Sequence, residues 1–376
     1  QVPLEQFYCT AAQARANCAP GSLEDVARFA GTNMRKDHRG NYLVRQCCMP
    51  PFKDDPHLIQ ELIEYCEQDV RTMRAASQAM RELTDDELAD YHVNERINDR
   101  GVRIDVPLCQ AAIRYAADEL QEIERIVREV TKGEITSVRS PKMRQWVQDR
   151  VGPEALKLME RDDKFSIDKT ARANLLAMDD PEQVPPDVAE VIQCADDLWA
   201  SSVAKFNRLF NLADEEHRVC GAFVFAGGSA TGRASSYGAQ VHNFTRQCAN
   251  EPEHVRHAMV RGHQIVPKFG KRITDVLKGM LRPAIIPDKG KQFVVADWSA
   301  IEGRVNPCLS TRGKEKLEIF KSGLDVYKTN ASATFRVTYD DVSKDQRQVG
   351  KVQELACGFG GGLGAFAAMG RVYGIN

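Results

Sequence analysis

The sequence predicts a multidomain α/β (α+β) protein, and three observations carry that expectation. A chain of 376 residues, 43% hydrophobic and 28% charged, has material for two or three cores. Long stretches with apolar residues three and four apart, the helical period, alternate with a few short apolar runs that read as strands. Charge is distributed unevenly: residues 1–100 carry 12 basic and 17 acidic side chains, whereas residues 205–291 carry 14 basic and 7 acidic. The formal net charge of -2 therefore conceals an acidic start and a basic middle, and the middle suits a polyanion. No apolar run approaches the roughly 18 residues of a membrane span, so no membrane partner is expected. The 11 cysteines form no Cys-x-x-Cys pair, which excludes a zinc knuckle or a thioredoxin-like site and leaves reduced, cytoplasmic thiols as the expectation.

The elements follow in chain order. Residues 57–83 have a helical pattern, and the acidic run 85–90 reads as a boundary or exposed turn. Leu108, Ala112, Ile113, Ala116, Leu120, Ile123 and Ile126 predict a long amphipathic helix over 106–130. Residues 130–187 are broken by prolines and glycines, and 188–210 resume the helical pattern. Two long helices flanking an irregular tip predict an arm rather than a compact core. Residues 219–225 read as a strand leading into a loop rich in Ser, Gly and Arg, and 293–296 as a second short strand. Ser343 and Gln346 predict the capped start of a helix over 343–356, which the glycines from 358 onward terminate.

Three segments carry chemistry. In Phe293-Val-Val-Ala-Asp297-Trp298-Ser-Ala-Ile-Glu302-Gly-Arg304, four apolar residues deliver a carboxylate to a strand end, where it can bind Mg2+. Ser299-x-x-Glu302 also fits a capping box, in which both side chains only satisfy helix amides. In Arg347-x-x-x-Lys351-x-x-x-Leu355, positions i, i+4 and i+8 share one helical face, so two cations point toward one anion such as a triphosphate. In residues 230–246, Thr231, Arg233, Ser235, Ser236, Gln240, Asn243 and Arg246 crowd hydroxyl, amide and guanidinium groups into one loop, which suits phosphate oxygens and minor-groove acceptors. No P-loop and no His-Glu-x-x-His is present, and the glycines after 357 do not make a dinucleotide loop.

In this order the three segments resemble the family A DNA polymerases, the phage-type branch more than the bacterial repair enzymes. Asp297-Trp-Ser-x-Ile-Glu-x-Arg304 resembles motif A, Arg347-x-x-x-Lys351-x-x-x-Leu-x-x-x-Phe359-Gly360 resembles motif B, and Thr231-Gly-Arg-x-Ser-Ser236 resembles the loop that grips the primer-template. Upstream, Gly101-Val-Arg-Ile-Asp105 resembles the beginning of the polymerase region. Ser140-Pro141 and Ser201-Ser-Val-Ala-Lys205 resemble thumb landmarks, and Tyr65-Cys-Glu-Gln-Asp69 resembles the third motif of a DnaQ-like 3'-5' exonuclease.

The resemblance implies a domain order. Residues 1–84 would be the last part of an RNase H-like exonuclease domain, 85–105 a linker, 106–215 a helical thumb, 216–312 a palm with an antiparallel sheet, and 313–376 the start of helical fingers. It implies template-directed transfer of dNMP to a primer 3'-hydroxyl in DNA replication, with primer-template DNA and dNTPs as partners and a two-Mg2+ mechanism. Asp297 and the Trp298 carbonyl would ligate metal, and Arg347 and Lys351 would hold the triphosphate. Glu302 would exclude a 2'-hydroxyl, while Leu355 and Phe359, where the family places larger rings, would face the nucleotide. Lys205, Thr231, Arg233, Ser235, Ser236, Gln240, Asn243 and Arg246 would contact DNA, and Tyr65 and Asp69 would belong to the exonuclease remnant. The sequence contains no His-Asp-Glu, the family's second catalytic carboxylate motif, and begins with Gln1, so it is expected to be a piece of a longer polymerase. The alternative is a non-catalytic module that binds primed DNA; a processivity partner stays unidentified.

Overall fold

The computed structural model describes residues 2–375 except 34–37, 162–163, 199–201, 229, 271, 312 and 359. The chain divides into two compact units, Gln1–Lys291 and Gln292–Asn376.

The first unit opens with helices α1 (Thr10–Ala16), α2 (Leu23–Phe29), α3 (Gly40–Cys47) and α4 (Pro56–Ala79), the last close to the helix expected there. Helix α5 (Asp85–Arg100) replaces the expected acidic turn. Thr84 and Glu87 close a capping box around its first amides, and Asp85, Asp86 and Glu87 in the first turn suit the positive end of the helix dipole. Arg81 grips Glu87 at 2.7 and 2.9 Å. That hydrogen bond, with those from Thr84, holds the Glu87 carboxyl down at about 2.

Strand β1 (Val102–Arg103) leads into α6 (Val106–Val130), whose first turn is capped by Asp105 and whose bounds match the periodicity. One face of α6 serves two cores. Near its start Leu108, Ala112 and Ala116 join Phe206, Leu209, Met259, Leu277 and Met280 in the larger one. Near its end Ile123 and Val127 join Met143, Trp146, Met159, Leu175 and Ile192 in a second. This second core corrects the expectation of an irregular tip. Its short pieces are α7 (Pro141–Gln148), α8 (Pro153–Met159), the hairpin β2 (Glu160–Arg161) and β3 (Lys164–Phe165), α9 (Lys169–Leu176) and α10 (Pro186–Leu198). Three of the five prolines that break the periodicity, Pro141, Pro153 and Pro186, stand at the first positions of α7, α8 and α10, where the missing amide costs nothing.

Helix α11 (Ser202–Leu212) returns along α6, followed by β4 (Arg218–Val219), β5 (Phe223–Val224) and β6 (Ser235–Ser236). The long strand expected over 219–225 is thus two short ones interrupted by Gly221, which sits at φ +64. Pairing is antiparallel in three separate two-stranded ladders, with Val102 opposite Val219, Glu160 opposite Phe165 and Phe223 opposite Ser236. Where an antiparallel palm sheet was expected, the described residues show only the short β1–β4 and β5–β6 ladders and isolated antiparallel bridges of Ile104 with Ile285 and Ala213 with Val219. Helices α12 (Pro252–Val260) and α13 (Ile273–Met280) cover the larger core. No described helix is long and apolar enough to cross a membrane.

The second unit contains α14 (Ile301–Leu309), α15 (Lys314–Lys321), α16 (Val326–Phe335), α17 (Lys344–Cys357) and α18 (Leu363–Val372). The expected strand at 293–296 does not form. Val294 and Val295 are 88% and 90% exposed, and no described segment pairs with them. An apolar run on both faces becomes a strand only between neighbours that bond its backbone and cover its sides, and local propensity cannot supply them. Helix α17 agrees closely with the sequence, including the capping box of Ser343 and Gln346. Gly360 past its end has φ +76, and the Gly361 amide donates back to the Ala356 carbonyl, a glycine termination as expected.

Candidate nucleotide and nucleic-acid site

In the second unit, α17 places Arg347 and Lys351 one turn apart, with Leu355 a further turn on. The guanidinium of Arg347 donates through Nε to Asp325 Oδ2 at 2.7 Å and lies 5.2 Å from the ring centre of Tyr327. Lys351 Nζ sits 4.7 Å from the ring centre of Tyr373. Burial pushes the Asp325 carboxyl up, but the hydrogen bonds from Arg347 and from the Tyr327 and Lys328 amides outweigh it and hold it below the ordinary range.

Motif A is arranged differently from expectation. Asp297 is exposed on a segment without regular structure, and Trp298 beside it is 80% exposed. The Ser299 to Glu302 capping box does not form: Ala300 is the N-cap of α14, in the left-handed region at φ 49. Arg304 instead donates to the Ser299 carbonyl at 2.9 Å and stacks 4.4 Å from the Phe320 ring centre. Glu302 and Leu355 do come together, lining one cavity of about 330 Å³ with Gly303, Lys316, Tyr327 and Glu354. Glu354 is the anchor of that cavity. Its side chain is 7% exposed and accepts from Lys316 and from Asn330 Nδ2 at 3.0 Å. Phe359 lies outside the described residues.

In the first unit the expected DNA-facing residues lie on α11 and on the segment around β6. Ser235 and Ser236 are β6, and Thr231, Arg233, Gln240, Asn243 and Arg246 are exposed around it. The loop is shaped by its backbone: Gly232 turns at φ +65, Gln240 stands in the left-handed region, and the Gly228 amide donates to the Arg233 carbonyl at 2.9 Å. Ser236 Oγ accepts from the His242 amide at 3.2 Å. Lys205, reaching from α11, donates to the Asn243 carbonyl and lies 5.3 Å from the Phe244 ring centre. Burial there lowers its pKa. Arg282 donates to the Thr245 and Phe244 carbonyls and braces the loop.

Tyr65 and Asp69 lie one turn apart on α4. Tyr65 packs against Gly40, where any added Cβ would collide with its ring. Asp69 keeps one buried oxygen, Oδ1, with no hydrogen-bond partner among the described residues. Among the described residues no three His, Cys, Asp or Glu side chains come together in a way that could hold a metal ion. Carboxylate and carbonyl oxygens are the right donors for Mg2+, yet Asp297 with the Trp298 carbonyl is too small a set to form a centre.

Sequence reasoning missed Asp325, Tyr327, Lys316, Glu354 and Arg282. Asp325 had a signal, an aspartate directly before a helix start, which reads as an N-cap. Glu354, seven residues after Arg347, falls on the same side of α17. Lys316 and Arg282 act across the tertiary fold and had none.

A profile of DNA polymerase family A matches residues 107–369. The DNA polymerase of Bacillus phage SP02 is 30% identical over 390 aligned residues, covering 98% of this chain and 57% of its own length. DNA polymerase I of Chloroflexus aurantiacus is 42% identical over 72 residues, 19% of this chain and 7% of that enzyme. A solved structure of the POL domain of Pol1 from M. smegmatis, in complex with DNA primer-template and dNTP, superposes with a TM-score of 0.56. It is 16% identical and the match covers 98% of this chain and 56% of that one, a likeness of fold. The chain thus spans a little over half the length of the phage relative, and on the extent of the profile match and the phage alignment it belongs to DNA polymerase family A.

Proposed function

We propose that this chain is the polymerase-bearing part of a replicative, phage-type DNA-directed DNA polymerase, which adds dNMP units to a primer 3'-hydroxyl. The observation that supports this best is the pair of cations on α17, Arg347 and Lys351, one turn apart on a helix within the family match. In the reaction the primer 3'-oxygen bonds to the α-phosphorus of the dNTP, the bond to the β-phosphate bridging oxygen breaks, and pyrophosphate leaves. Arg347 and Lys351 would hold the triphosphate and offset the charge that builds on the departing pyrophosphate.

Glu302 and Leu355, which share a cavity wall, would face the sugar, with Phe359 beyond them in sequence. Lys205, Thr231, Arg233, Ser235, Ser236, Gln240, Asn243 and Arg246 would contact the primer-template. Family A polymerases generally use divalent metals. Asp297 and the Trp298 carbonyl are the oxygens we assign to such a cation, as one part of a larger donor set. We read residues 1–84 as the end of a 3'-5' exonuclease domain, 85–105 as a linker, 106–215 as thumb, 216–312 as palm and 313–376 as fingers. The nuclease reading leans on Tyr65 and Asp69 alone.

Primer extension by the protein at its natural length, with Mg2+ and all four dNTPs, tests the proposal. Template-directed extension supports it, whereas retention of primed DNA without extension favours a binding module. In the same assay Glu302→Ala should raise ribonucleotide use, and unchanged dNTP:rNTP discrimination would remove Glu302 from the sugar site.

A further inference from the structure

The triphosphate role of Arg347 leaves open what aims it. Arginine has a long side chain with many rotamers, and a guanidinium that must meet two phosphate oxygens gains from being held before the ligand arrives. Asp325 stands where it can hold one. Its two carboxylate oxygens are divided between two tasks: Oδ1 accepts from the Tyr327 and Lys328 amides at 2.8 and 3.3 Å and caps α16, while Oδ2 accepts from Arg347 Nε at 2.7 Å. The Tyr327 ring lies against the same guanidinium, 5.2 Å from centre to Cζ. This close approach of α16 and α17 depends on Gly350, because an added Cβ there would run into the Tyr327 carbonyl.

We propose that Asp325 and Tyr327 are positioning residues, which grip Arg347 through Nε and its ring-facing side so that Nη1 and Nη2 are presented together to an incoming nucleoside triphosphate. The inference rests on the reading of Arg347 as a triphosphate ligand. Anchoring through Nε leaves the edge formed by the two terminal nitrogens free, and that edge can form parallel bonds to a phosphate. The carboxylate charge does not simply repel the ligand, because it is already met by two helix amides and one guanidinium. Lys351, one turn on, has a ring neighbour but no ion pair among the described residues, so the two cations are held to different degrees.

Steady-state single-nucleotide incorporation by the natural-length protein, with dATP opposite a template T, separates the possibilities. Asp325→Ser keeps an N-cap while removing the second acceptor. It should raise the KM for dATP about 10-fold, the scale of one hydrogen bond to a charged group, with kcat changed by less than about twofold. Asp325→Asn, whose one carbonyl oxygen cannot serve both tasks, should give a smaller rise and guards against a folding defect in the serine variant. Tyr327→Leu, which takes the ring away from the guanidinium, should raise KM as well. In an Arg347→Ala background the effect of Asp325→Ser should disappear, since residues acting through one another are not additive. An unchanged KM for Asp325→Ser, or an equal rise in the Arg347→Ala background, would overturn the positioning role while sparing the triphosphate reading. Normal KM and kcat in Arg347→Ala alone would overturn that reading and this inference with it.

Discussion

The loop at 230–246 and the face of α17 both carry cations that we assign to an anionic partner, but they are held in opposite ways. In the loop the backbone is fixed, by turns at Gly232 and Gln240 and by Arg282 gripping the Thr245 carbonyl, while Arg246 reaches into solvent. On α17 the side chain itself is fixed: Arg347 is bonded at Nε by Asp325 and backed by the Tyr327 ring. A surface that must accept any DNA sequence needs charge at the right height and little more, because phosphates repeat and the counterions they release supply the affinity. A residue assigned to one triphosphate needs direction, since parallel bonds to its oxygens depend on donors already aimed.

Expected outcomes test that contrast, and the largest concerns the aimed cation. Arg347→Ala at natural length should lower kcat/KM for dNTP by about 10²–10³-fold while primer-template affinity stays within twofold. Equal losses in both would erase the distinction between the two surfaces. Next, Gly350→Ala should destabilise the packing of α16 on α17 by about 1–3 kcal/mol, read by denaturant unfolding, because the new methyl meets the Tyr327 carbonyl. In the loop, Arg246→Ala should weaken primer-template binding several-fold and equally for unrelated sequences, and should reduce the slope of log K against log salt by about 1. A strong sequence preference in the loss would mean that Arg246 reads bases.

The smallest expected effect is a null one. The folded pKa of Asp325 is depressed, so its contact with Arg347 is complete above the ordinary carboxylate value near 3.9 and is lost only as pH falls through the lower folded value. The KM for dNTP should therefore show no break from Asp325 between pH 5 and 8. An inflection there that disappears in Asp325→Ser would contradict this assignment.

How much of this was legible in the sequence depends on how far apart the deciding residues lie. Helix α6 could be read to the residue, because its apolar stripe and its Asp105 cap are local. The capping box of α17 announced itself for the same reason. The acidic run 85–90 reads as a turn because like charges suggest one, although it opens α5 and its charges suit a first turn once Thr84 and Glu87 cap it. At 293–296 the apolar pattern was real, but pairing is a tertiary property and no described segment supplies it. The cations of α17 were visible at their spacing of four, whereas their restraints come from Asp325, 22 residues upstream, and from two tyrosines on other parts of the unit. Charge patterns reveal which groups a helix offers and say little about what steadies them.

The second core of the first unit has a consequence for how this molecule comes apart. Met143, Trp146, Met159, Leu175 and Ile192 bury their surface against the far end of α6, separately from the core around Phe206 and Met280. Two cores strung on one helix form two cooperative blocks joined by a shared beam. Amide hydrogen exchange should then resolve an opening of residues 131–198 that leaves the protection of α11, α12 and α13 intact, and a single melting temperature for the whole unit would average two events.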